Sequence, residues 1–156
     1  MHPNAFRLAA ALLVAGAAPA AADDRYSPVS DPVTAKECGA CHMAFQPQML
    51  PGRSWTALMG GLDRHFGEDA SLDDATRDHI TAYLTDHAAD AGWWSGKFMR
   101  GVDDSRTPLR ITDTPYWIRE HMEEVPARAW TDPRVGSKAN CLACHPRANR
   151  GDYDDD

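Results

Sequence analysis

Apolar positions along this 156-residue chain recur at helical rather than strand spacing, in short runs separated by Gly- and Pro-rich breaks. Asp31 followed by Pro32 reads as an N-cap and first helical position, starting a short helix that runs into Cys38. Pro47, Pro51 and Gly52 mark a loop. Ser54 then caps a second helix, Trp55 to about Phe66, which sets Trp55, Leu58, Met59, Leu62, His65 and Phe66 at helical spacing before Gly67 stops it. A third helix is predicted over Leu72 to Ala89, with Ile80, Tyr83 and Leu84 along its buried stripe. Residues 92–113 hold Gly92, Gly96, Gly101 and Pro108 and read as an irregular connector. Thr114-Pro115 starts a last helix, with Trp117, Ile118, His121, Met122 and Val125 on one face and Pro126 just beyond its end. Period-two alternation is weak throughout. The fold class expected is mainly α, with much irregular loop.

The first 22 residues stand outside that pattern. Met1 to Arg7 ends in a positive charge, Leu8 to Ala18 is apolar, and Ala20-Ala21-Ala22 offers small residues before Asp23. Basic, apolar and small residues in that order are a secretory signal peptide. The apolar run is well short of the roughly 20 residues that a membrane-spanning helix needs. The expectation is therefore export, cleavage after Ala22 and a soluble periplasmic product. The net charge of −7 is unevenly placed. From Asp63 to Asp90, eight acidic residues face only Arg64 and Arg77, whereas Gly92 to Arg150 carries a mild basic excess. Nucleic-acid binding is disfavoured, because tracking phosphates needs a strong positive excess. Uneven charge suits encounters with charged protein partners.

The four cysteines decide the chemistry. In an oxidising compartment four would ordinarily read as two disulfides. Here they form Cys38-Gly39-Ala40-Cys41-His42 and Cys141-Leu142-Ala143-Cys144-His145, two copies of the C-x-x-C-H haem-attachment signature. Two thiols so spaced meet the two vinyl groups on one porphyrin edge, and the adjacent histidine swings beneath the ring to ligate iron. A shared zinc site is disfavoured, because the gap from Cys41 to Cys141 far exceeds usual zinc-ligand spacing. Thioredoxin-like redox pairs would need a βαβ context that the pattern lacks. Two covalently bound haems c, held by Cys38, Cys41, Cys141 and Cys144 with iron ligated by His42 and His145, are the expected cofactors.

Each iron then has a second axial position to fill. His65 lies three and seven residues after Leu62 and Leu58, on their face of the helix. His121 lies four and three residues after Trp117 and Ile118. These two rank first. His87, four residues after Tyr83, is the competitor, and His79 sits nearer a polar edge. Met49, in a Pro-bounded loop, is the thioether alternative, while Met59 and Met122 read as core fillers. Arg53, Lys138, Arg147 and Arg150 are candidate partners for haem propionates. The halves hold a motif and a histidine-bearing helix in opposite order, which argues against tandem duplication.

With these features in place, ECGACH, LPGRSWTALMGGLDRHFGEDASLD, ITDTPYWIREH and NCLACH together resemble the bacterial di-haem cytochrome c family, DHC, over most of Lys36 to Tyr153. The resemblance implies two bis-histidine haems in two small lobes, the first similar to a class I cytochrome c. By motif, His42 and His145 would be proximal ligands and His65 and His121 distal ones. Pairing by nearness in sequence joins His42 to His65 and His145 to His121. The organisation expected is signal peptide 1–22, flexible leader 23–30, first haem lobe 31–91, connector 92–113 and second haem lobe 114–156 with an acidic tail. The family also implies redox protein partners, a monohaem cytochrome c and a membrane cytochrome b. The expected function is single-electron relay in the periplasm by a carrier that is not an enzyme. The small di-haem subunit of a periplasmic reductase and a di-haem peroxidase-like enzyme are the alternatives.

Overall fold

In the computed structural model, residues 25–93 and 96–154 are described, and the signal-peptide segment lies outside them. Asp31 and Pro32 start the first helix as expected: the Asp31 carboxylate accepts from Val33 N and Thr34 N, both at 3.1 Å. This helix, α1, spans Pro32–Cys38 and delivers the first cysteine of the first motif at its end. α2 spans Gly52–Met59 and α3 spans Asp74–Asp86, and the two pack against each other, with α1 also against α3. α4 spans Pro115–Glu124, capped by Thr114, whose hydroxyl accepts from Trp117 N at 3.4 Å. Short 3-10 turns supply the rest, including Lys97–Met99, Ile111–Asp113, Ala127–Thr131, Cys141–Ala143 and Ala148–Arg150. No strand occurs among the described residues. Two isolated bridges stand in their place, Arg25 with Asp152 and His65 with Glu68.

The second helix differs from its sequence reading. It begins at Gly52, after Pro51, and Ser54 lies inside it, buried, rather than capping it. It stops at Met59 because Gly60 and Gly61 follow, and two glycines in succession make helix continuation costly. Leu62–Arg64 is a separate 3-10 turn that sets His65 at its end. α3 is likewise shorter than its apolar stripe: Asp73 caps it, accepting from Thr76 N at 3.0 Å, and it ends at His87.

Two apolar clusters form the interior. Leu50, Trp55, Met59, Ile80, Leu84 and Ala88 make the first, with Cys38, Phe45 and Leu62 packed against it. Met49, Ala89, Phe98, Tyr116 and Trp117 make the second, joined by Tyr26, Trp130 and Tyr153. Leu50 and Ile80 are essentially fully buried, each contributing roughly 1.5–3 kcal/mol of transfer free energy. The clusters are adjacent, since neighbours Met49 and Leu50 point one into each, as do Ala89 and Ala88, and Ile111 touches both. The second cluster therefore draws on residues from early in the chain. Tyr26 reaches it because its N–H donates to Gly151 O at 2.7 Å. That approach requires glycine at 151, where φ is +78° and a Cβ would collide with the Tyr26 carbonyl oxygen.

Candidate haem sites

The first motif leaves the end of α1 and turns under Phe45. Cys38 is half-buried, Cys41 and His42 are exposed, and the His42 and Phe45 rings lie 5.1 Å apart. His42 Nδ1 lies 2.7 Å from the Met43 carbonyl. As the donor in that bond it leaves Nε2 with its lone pair free for a metal. Facing it, His65 lies with its ring centroid 6.1 Å from that of His42 and the planes inclined by 22°. Burial chiefly, then His42 and Arg110, hold the His65 imidazole below the usual histidine range, which favours its neutral, ligating form. The residue after it, Phe66, adopts a positive φ of 54°, a conformation costing a bulky residue about 1 kcal/mol. Its ring carries the Arg110 guanidinium at 3.9 Å. Ala57, Leu58, His65, Phe66 and Leu109 line an open cleft of about 200 Å³ beside this pair.

The second motif lies in the Cys141–Ala143 turn. Cys141 and His145 are half-buried and Cys144 is exposed. His121, on α4, stands opposite His145 with ring centroids 6.3 Å apart and planes inclined by 78°. Its Nδ1 lies 2.9 Å from the Trp117 carbonyl and donates to it, again leaving Nε2 available. Burial first, and His145 among the lesser causes, keep this imidazole below the usual range.

These arrangements fit haem. A porphyrin brings four equatorial nitrogens, so the protein needs to supply only an opposed pair of ligands. Two metal–nitrogen bonds of about 2 Å, with about 1 Å from each ring nitrogen to its centroid, put trans imidazoles about 6 Å apart. Both pairs have that spacing. Among the described residues no three His, Cys, Asp or Glu side chains converge as a metal site of their own. None of the four cysteines forms a disulfide. Burial raises the Cys38 thiol above its ordinary range and pushes Cys141 up to about 11, which disfavours thiolate chemistry at neutral pH.

The remaining candidates lie elsewhere. His87 is exposed at the end of α3, its Nδ1 donating to Tyr83 O at 2.8 Å. His79 is exposed and pairs with Asp31 at 2.7 Å, stapling α3 to α1. Met49 is buried in the second cluster, and Met59 fills the first. Met122, read as a core filler, is instead 66% exposed, because α4 turns Tyr116 and Trp117 inward. Arg53 donates to the carbonyls of Arg106 (2.8 Å) and Asp103 (3.0 Å), so it clamps the connector to α2. Arg147 pairs with Asp152 at 2.8 Å. Lys138 sits over the Trp117 and Trp130 rings. Sequence reasoning missed Arg110 at the first site and the stacking of Trp117 on His121 at the second. Only the i, i+4 spacing of Trp117 and His121 signalled the latter.

A helical scaffold with much loop, two C-x-x-C-H turns and a second imidazole facing each motif histidine define a c-type cytochrome. The chain belongs to the dihaem cytochrome c family, whose model matches residues 34–153. It is similar to a diheme cytochrome c from Rhodobacter sphaeroides, at 48% identity over 82% of this chain and 100% of that one, with a TM-score of 0.77. A second structure, DHC purified from Rhodobacter sphaeroides, matches at 47% identity over 81% of this chain and 99% of that one, TM-score 0.68. A diheme cytochrome type c from Shewanella baltica OS155 matches at 35% identity over 79% of this chain and 86% of that one, TM-score 0.64. No functionally curated protein matches the chain. The chain is accordingly a haem c electron-transfer protein with two covalently bound haems.

Proposed function

We propose that this protein is an exported, periplasmic electron carrier whose two haems are both bis-histidine ligated, His42 with His65 and His145 with His121. The observation that carries the reading is the pair of imidazole–imidazole separations, 6.1 and 6.3 Å, each matching one iron between two rings. Bound haem iron supplies a one-electron couple. The chain's residues do the rest. Cys38, Cys41, Cys141 and Cys144 fix the two groups covalently. His42 and His121 have their Nδ1 protons held by backbone carbonyls, so each Nε2 is oriented before any metal arrives. Two neutral nitrogen ligands per iron leave no open position for a substrate, which favours single-electron relay over catalysis.

The partners that suit this reading are redox proteins, a monohaem cytochrome c and a membrane cytochrome b, with the acidic Asp63–Asp90 stretch steering the encounter with a basic surface. Among the described residues no helix is long and apolar enough to cross a membrane, in keeping with a carrier that meets its partners by diffusion. The test is addition of carbon monoxide to the reduced holoprotein. Unchanged haem absorption is expected, and rapid carbonyl formation at either haem would refute saturated ligation.

A further inference from the structure

We propose that Trp117 is a positioning residue that fixes the ring plane of His121 and so makes the two haems electronically inequivalent. The inference rests on the bis-histidine reading above. It begins from the different inclinations of the two histidine pairs, 22° for His42 and His65 against 78° for His121 and His145.

A ring ligating iron through one nitrogen can still rotate about that bond, so something must choose its plane. At His121 one residue supplies two constraints. The Trp117 carbonyl accepts the Nδ1 proton at 2.9 Å, which directs that edge of the ring but leaves it able to pivot about the hydrogen bond. The Trp117 indole removes the pivot: it lies face to face with the imidazole, centroids 4.0 Å apart and planes 14° from parallel. The i, i+4 relation on α4 provides both contacts, because residues so spaced lie on one face and the side chain leans toward the preceding turn. The indole is itself packed in place. It is 6% exposed, packs at 5.8 Å against Trp130, and has the Lys138 ammonium 5.8 Å from its ring centroid. At His65 the neighbouring ring of Phe66 is instead tilted by 60°.

Ring orientation matters because an axial imidazole donates through a π orbital perpendicular to its plane. Two near-parallel rings act on the same iron dπ orbital and split it from its twin. Two steeply crossed rings act on one dπ orbital each and leave the pair nearly degenerate. The first site is thereby assigned a rhombic low-spin ferric signal, and the second a highly axial one with a larger maximum g value.

The experiment is electron paramagnetic resonance of the ferric holoprotein for wild type, Trp117→Leu and Trp117→Phe. None of these changes removes the Trp117 carbonyl, so the hydrogen bond is preserved and the stacking alone is varied. Two distinct low-spin signals are expected in the wild type. In Trp117→Leu the axial signal should move toward the rhombic form while the other stays in place, and Trp117→Phe, which keeps an aromatic face, should retain it. Two like low-spin signals in the wild type would overturn the proposal while leaving bis-histidine ligation intact. A high-spin signal in the wild type would instead overturn the ligation itself. An unchanged axial signal in Trp117→Leu would show that another group sets the plane. If the leucine variant yields no holoprotein, the test passes to Trp117→Phe, where conversion to a rhombic signal would refute a role for stacking.

Discussion

Gln46 ties the loop after the first motif to the tail of the second, and removing that tie should have a calculable cost. Its side chain is fully buried; its amide donates to the Ala148 carbonyl at 2.8 Å and its oxygen accepts from the Tyr153 hydroxyl at 2.6 Å. Gln46→Leu keeps the bulk but deprives both groups of this partner. A buried polar group left wholly unpaired costs about 1–3 kcal/mol, so two would cost about 2–6 kcal/mol. The lower end applies, because the Ala148 carbonyl still accepts from Gly151 N–H at 2.9 Å and the Tyr153 hydroxyl keeps Met49 Sδ at 3.8 Å as a weak second acceptor. Tyr153→Phe orphans only the Gln46 oxygen and should cost about 1–2 kcal/mol. The double variant removes both ends of one bond, so its cost should fall short of the summed single costs by about 1 kcal/mol. Urea unfolding of the holoprotein, followed by haem absorption and by tryptophan fluorescence, measures all three. Strict additivity, or a Gln46→Leu cost within about 0.5 kcal/mol of zero, would refute the reasoning, since that is the range of an inert surface change.

Three further outcomes are expected. Replacing Cys38 and Cys41 together by Ser should leave a product with a single covalent haem by intact mass, and retention of both would contradict attachment at that motif. His87→Ala should leave both haem spectra unchanged, because its ring is bonded to the Tyr83 carbonyl at the end of α3; a new high-spin band would show that it is a ligand. The rate of reduction by a positively charged redox protein should fall as ionic strength rises past 0.1 M, where the screening length is about 10 Å. A flat response would remove the steering role of the exposed Asp73, Asp74 and Asp78.

The cofactor was legible in the sequence because its chemistry demands fixed residue types at fixed spacing, and that signal is independent of the surrounding fold. Helix starts were legible for the same local reason: Asp31-Pro32 and Thr114-Pro115 carry both the cap and the first-turn proline. The second helix was not. Apolar spacing continued through Gly60-Gly61 as though the helix did, although the backbone breaks there and a 3-10 turn presents His65. Periodicity thus selected the histidine that stands opposite His42, but through a wrong local structure, since a residue set among apolar neighbours keeps them whatever turn delivers it. The face of α4 was misread at Met122 because the stripe of Trp117, Ile118 and Met122 is wider than the surface available to bury it. Contacts between distant segments, such as Arg110 over Phe66 or Gln46 with Tyr153, leave no local pattern and required the tertiary structure.

Four histidines, paired as His42 with His65 and His145 with His121, are proposed to hold the two irons. Ferric spin state in His65→Ala and His121→Ala tests this assignment most directly. Each variant is predicted to convert one haem, and a different one, from low to high spin while the other keeps its wild-type signal. Two low-spin haems persisting in either variant would rule out that histidine as a ligand.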